Sequence, residues 1–115
     1  MTALAAFLIG SSAGGGVLSA TKDGDAFAEG FAPPNTQFLT TNDVTVTATG
    51  GVATATHSWA FVSGNNVFTI SGATDATVNW SANIGLASRS AVWRDTVTDG
   101  VSFVTVDVNV FAQVV

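Results

Sequence analysis

Cysteine does not occur in the 115 residues, which excludes disulfides, thiolate metal sites and cysteine nucleophiles and leaves the redox compartment open. Charge is also scarce: a tenth of the residues are charged, against roughly a quarter in an average soluble domain. Lys22 is the only lysine and Glu29 the only glutamate, so the side chains that usually clothe surface helices are missing. Three basic residues stand against eight acidic ones, for a net charge of −5. Such a chain cannot neutralise a run of phosphates, and nucleic acid is excluded as an expected partner. No basic amphipathic stretch suits a membrane surface. The apolar run at residues 3–9 is too short to span a bilayer. Small residues follow it but no positive charge precedes it, so it is not read as a secretory leader.

Gly, Ala, Ser, Thr and Val dominate what remains. The branched Cβ of Val and Thr fits a pleated sheet better than a helix, and the length suits one domain with one modest core. From residue 41 onward the pattern alternates with a period of two. Val44, Val46 and Ala48 share a face of a strand stopped at Gly50-Gly51. Trp59 and Phe61 lie on one side of the next strand, which ends near residues 63–66. A short strand over 67–70, the set Ala76, Val78 and Trp80, and a strand over 90–98 follow, the last stopped by Asp99-Gly100. Val104, Val106, Val108, Val110, Ala112 and Val114 form the clearest face. A slip of one residue there would bury Thr105, Asp107, Asn109 and Gln113, so the register is firmly specified. Short strands at these intervals predict an all-β sandwich or barrel.

Residues 1–40 differ. A Gly/Ser/Ala-rich stretch, the Lys22-Asp23-Gly24-Asp25 patch and the Pro33-Pro34 pair predict extended or looping chain. Yet Leu4, Phe7, Leu8, Ile9, Val17, Leu18, Phe27 and Phe31 are spread through it, more apolar surface than a disordered tail carries. They are the candidate partner-binding residues of an N-terminal arm, with residues 41–115 as the domain.

Chemistry-bearing groups are few. His57 is the only histidine; no catalytic or metal-binding partner stands at a recognisable spacing from it, and it reads as structural. No Gly-x-Ser-x-Gly elbow exists. Asp23, Asp25 and Glu29 lack the remaining ligands of a calcium loop and read as a solvated turn. Gly14-Gly15-Gly16 has no phosphate-loop lysine. Trp59, Trp80 and Trp93 are expected to fill the core, and of the neighbours Trp93 and Arg94 the arginine is expected to face outward.

Residues 57–110 resemble the immunoglobulin-like family, and within it the PKD-type domains. The resemblance rests on His57-Ser58-Trp59-Ala60-Phe61-Val62-Ser63-Gly64, on Thr96-Val97-Thr98-Asp99-Gly100, and on the alternating valines of 104–110. It implies an immunoglobulin-like β-sandwich with an extended N-terminal arm. The candidate core is Trp59, Phe61, Val78, Val97, Val104, Val106, Val108 and Val110. Asp95 departs from the family pattern, falling in phase with Ala91, Trp93 and Val97; a bulge or a face covered by a partner would explain it. Such domains are adhesive, spacer or capsid-attached modules, and activity must be argued from a site. The expectation is therefore a non-enzymatic structural subunit of a virus particle, with no cofactor and no metal. It would be a bacteriophage capsid decoration or cement protein in the virion, homo-oligomeric, docking through its arm on other copies and on the major capsid protein. A tail or fibre component is the structural rival. A bacterial cell-surface module binding carbohydrate or protein is the rival of another class.

Overall fold

The computed structural model describes residues 16–31, 38–85 and 87–115. Within them the chain is all-β, with ten strands and no helix. In chain order these are β1 (Ser19–Lys22), β2 (Ala26–Gly30), β3 (Phe38–Thr40), β4 (Val44–Thr49), β5 (Thr56–Gly64), β6 (Thr69–Ile70), β7 (Thr77–Val78), β8 (Trp80–Asn83), β9 (Arg89–Thr98) and β10 (Phe103–Val114).

One sheet runs β2-β10-β9-β5. Its centre is the β9–β10 hairpin, registered from Phe103 opposite Thr98 to Ala112 opposite Arg89. The turn between them is built by Asp99, whose Oδ1 accepts from the N–H groups of Val101 and Ser102 at 2.9 and 2.8 Å. The other layer is made of two three-stranded sheets, β1-β4-β7 and β3-β8-β6. The core lies between the layers. Val44, Val46, Val78, Val97, Val108 and Val110 are fully buried there, each contributing about 1.5–3 kcal/mol by leaving water. Trp59 packs edge-on against Trp80 at 5.5 Å, Trp80 lies 6.1 Å from Trp93, and Phe61 meets Trp93 edge-on at 6.0 Å. Of the expected core, Phe61 and Val104 are only partly buried, and the rest is buried. Arg94 points outward and clasps Asp107 with two hydrogen bonds of 2.7 and 3.1 Å.

Three strands precede residue 41, where the sequence predicts extended or looping chain. β1 pairs antiparallel with β4, and β2 runs parallel to the end of β10. β2 hides from pattern reading because its polarity is inverted: Ala26, Ala28 and Gly30 face inward while Phe27 and Glu29 face out. The expected strand through Ala76, Val78 and Trp80 is broken at Asn79 into β7 and β8, which pair with different neighbours.

Asp95 is met neither by a bulge nor by a partner. It is fully buried on the inner face of β9. His57 Nδ1–H donates to its Oδ2 at 2.6 Å and the Ser58 N–H to its Oδ1 at 3.0 Å. The irregularity falls in β5 instead, between Phe61 and Ser63, next to Gly64. That glycine has φ +94°, and a Cβ on it would lie 2.6 Å from the Ser90 carbonyl oxygen, so only glycine fits.

Candidate functional site

Two surfaces stand out, one on the outer face of the four-stranded sheet and one on the edge of the opposite layer. On the outer face, the parallel register sets Phe27 beside Phe111 and Glu29 beside Gln113. The phenyl rings stack at 5.8 Å with 21° between planes, and Gln113 Nε2 donates to Glu29 Oε2 at 3.1 Å. Phe31 and Val115 prolong the two rows, with the Val115 N–H donating to the Gly30 carbonyl at 2.9 Å. Phe27 is 45% and Phe31 71% exposed. The result is two apolar clusters along the β2 edge, Phe27 with Phe111 and Phe31 with Val115, separated by the Glu29–Gln113 pair.

The remaining arm residues divide. Val17 is 89% exposed, while Leu18, expected to reach a partner, is buried in this chain's own fold. Leu4, Phe7, Leu8 and Ile9 lie outside the described residues.

The second surface is an open groove of about 630 Å³ along the edge of β4, lined by residues 45–50, Thr54, Ala55, His57 and Ala76. Its origin is a mismatch of strand lengths. β1 covers one edge of β4 from Val46 to Thr49. On the other edge β7 pairs only with Val44 and Thr45, and the Val46 N–H then donates to the Ala76 carbonyl at 2.9 Å. Strand hydrogen-bonding direction alternates, so the N–H and C=O of Ala48 face this same side, where no described strand pairs with β4. His57 lines the groove, its ring fixed by Asp95 through Nδ1, which leaves Nε2 as its other polar atom.

A histidine oriented by a buried carboxylate is two members of a nucleophilic triad. Among the described residues no hydroxyl bonds to His57. The nearby hydroxyls serve each other: Thr45 with Thr77 at 2.9 Å and Thr49 with Ser19 at 2.7 Å. The arrangement therefore holds β5 to β9 and offers one polar atom to the groove. No spacing signals the pair, since 38 residues separate the partners. The only available signal was a polar residue at a core phase on β9.

The other carboxylates are dispersed into structural duties. Asp23 Oδ1 accepts from the Thr45 N–H at 2.9 Å. At Asp25, burial pulls the carboxyl upward but is outweighed by hydrogen bonds from Lys22 and the Asn109 N–H, so its pKa falls below the ordinary value. Asp107 is likewise lowered, chiefly by Arg94. Asp99 is held down to about 2 by the N–H groups of Ser102, Val101 and Val52. Among the described residues no group of three or more His, Asp or Glu side chains is placed to hold a metal ion, and no helix is long and apolar enough to cross a membrane.

No family model matches the chain, and no curated protein matches it. Among solved structures it is similar to a nucleoside hydrolase-related hypothetical protein from Saccharophagus degradans, associated with carbohydrate metabolism. The TM-score is 0.56 at 11% identity, over 89% of this chain and 26% of that one. The chain thus spans about a quarter of that protein, and the likeness is one of fold.

Proposed function

We propose that this chain is a non-enzymatic structural module with an immunoglobulin-like β-sandwich fold, a subunit of a virus particle. In this reading it is a bacteriophage capsid decoration protein, docked on the major capsid protein and on other copies of itself through its N-terminal arm, residues 1–40. The observation that carries the reading is the pair of apolar clusters on the β2 edge, Phe27 with half-exposed Phe111 and Phe31 with Val115, on either side of the Glu29–Gln113 pair, in a chain with so little charge. Large apolar side chains grouped on a surface mark sites of association. The topology supports the immunoglobulin-like assignment: the first part of the chain is shared between layers, β1 with β4 in one and β2 parallel to β10 in the other. The His57–Asp95 pair ties β5 to β9, which supports a structural role.

Mass spectrometry and immunogold labelling of particles purified from the native source test the proposal. Recovery at a fixed stoichiometry, with label on heads, is the expected result; label on tails moves the chain to the tail or fibre. Recovery only with cell envelopes overturns the virion setting. The second reading, a surface module binding carbohydrate or protein, is favoured by the same exposed aromatic rings and by the association of the similar Saccharophagus degradans protein with carbohydrate metabolism. It predicts glycan-array binding that is lost on Phe31→Ser.

A further inference from the structure

We infer that the groove beside β4 is an acceptor for a strand, and that its occupant is the segment 3–9 of a second copy of this chain. The inference rests on the reading of the chain as an assembling structural subunit and specifies how copies join.

The backbone supplies the first argument. Past Val46, β4 keeps one edge paired with β1 and presents the Ala48 N–H and C=O on the other, where β7 has already ended. An unpaired strand edge is a template for another strand, and strand addition gains main-chain hydrogen bonds without requiring any chemistry. Among the described residues the stretch of β4 edge past Val46, residues 47–50, is about 13 Å long at ~3.3 Å per residue, so it can pair with the middle of a seven-residue strand of about 23 Å.

Composition supplies the second. The groove walls are Thr, Ala, Val and Gly with His57 as the only titratable side chain. Residues 1–15 carry no charged side chain, and 3–9 read Ala-Leu-Ala-Ala-Phe-Leu-Ile. In an added strand, alternate residues point to one side. Leu4, Ala6 and Leu8, or Ala5, Phe7 and Ile9, would then enter the space above His57, and the incoming carbonyls would pass within reach of His57 Nε2. An acidic or basic peptide would be left unpaired there; this segment is not.

Reach supplies the third. The Gly16 carbonyl accepts from the Gly51 N–H at 3.1 Å, which fixes the described chain on the β1 side of β4, across the strand from the groove. The tether of residues 10–15, Gly-Ser-Ser-Ala-Gly-Gly, extends up to about 20 Å. That length lets the segment 3–9 leave its own domain and reach the acceptor edge of a neighbouring copy.

Complementation of full-length variants, followed by sedimentation equilibrium with circular dichroism as a check on folding, tests this. Phe7→Asp spoils the donor. Ala48→Pro spoils the acceptor by removing an N–H that the chain's own ladder does not use; if it loses its β spectrum, Thr54→Trp, an exposed loop position on the groove wall, replaces it. Wild type should self-associate and each variant alone should weaken association at least about a hundredfold, as expected for several lost main-chain hydrogen bonds. The mixture of donor-spoiled and acceptor-spoiled chains should restore a 1:1 complex. A monomeric wild type overturns the inference, as does association untouched by either acceptor variant. A chain that is monomeric but present in purified particles fails this inference alone. Complementing variants of a chain absent from particles fail the virion setting alone.

Discussion

The two layers of this domain treat their edges in opposite ways. At β2, on the rim of the four-stranded sheet, the exposed backbone is met by one side chain. Asn42 Oδ1 accepts from the Phe27 N–H at 2.8 Å, its Nδ2 donates to the Asp25 and Asp43 carbonyls, and its own N–H reaches the Phe27 carbonyl at 3.4 Å. At β4, in the other layer, the edge past Val46 is met by no strand among the described residues and borders the groove. Where Asn42 occupies the backbone of Phe27, association must proceed through side chains such as Phe27 itself and Phe31. The open edge keeps its main-chain groups for a strand. Native sheets seldom leave an edge unguarded, which makes the open one the more informative of the two.

Substitutions can break this comparison. The largest effect is expected beneath the open edge. Asp95→Ala removes the acceptor of both His57 and the Ser58 N–H and leaves a buried void, at a cost of ~3 kcal/mol; a urea melt that hardly moves would show that the pair does not anchor β5. Next comes the corner that ends β4. Gly51 has φ +84°, and a Cβ there would lie 2.8 Å from Asp99 Oδ2, so Gly51→Ala should lower stability by about 2 kcal/mol through strain, read as a fall in Tm. On the closed edge, Asn42→Ala should cost about 1 kcal/mol by freeing the Phe27 N–H, and should raise light scattering on storage as the edge becomes available. Ala48→Pro is the smallest on stability, within about 0.5 kcal/mol in the monomer, because the N–H it removes faces the groove. A larger loss would mean that the edge is already paired.

Acid separates the corner from the rest. The Asp99 pKa is lowered from 3.8 to about 2 in the folded chain, so folding favours its ionised form. Its contribution is complete above the ordinary carboxylate pKa and is lost as pH falls from about 4 toward 2. Urea midpoints measured between pH 5 and pH 2 should fall for the wild type, and fall less steeply for Asp99→Asn.

The last strand was legible because it turns a uniform apolar face inward: the valines of β10 could satisfy only one register, and β9 followed the same alternation except at Asp95. The Asp99 turn and the outward Arg94 followed from local rules for the same reason. β1 and β2 were not legible. β2 buries alanines and exposes phenylalanines, so a rule that sends large apolar residues inward misassigns every position in it. The partnership of His57 with Asp95 is a contact between distant strands, and no spacing encodes it. The groove is less legible still, since it arises from where β7 stops rather than from any residue type.

The direction of β2 has a mechanical consequence. It runs parallel to β10 over five registered pairs. Tension drawn between the start of β2 and the end of β10 therefore slides the two strands past each other, and all of their hydrogen bonds must give way together. A hairpin pulled from its open end would instead lose its bonds one at a time. The domain is built to hold when stretched along its own chain.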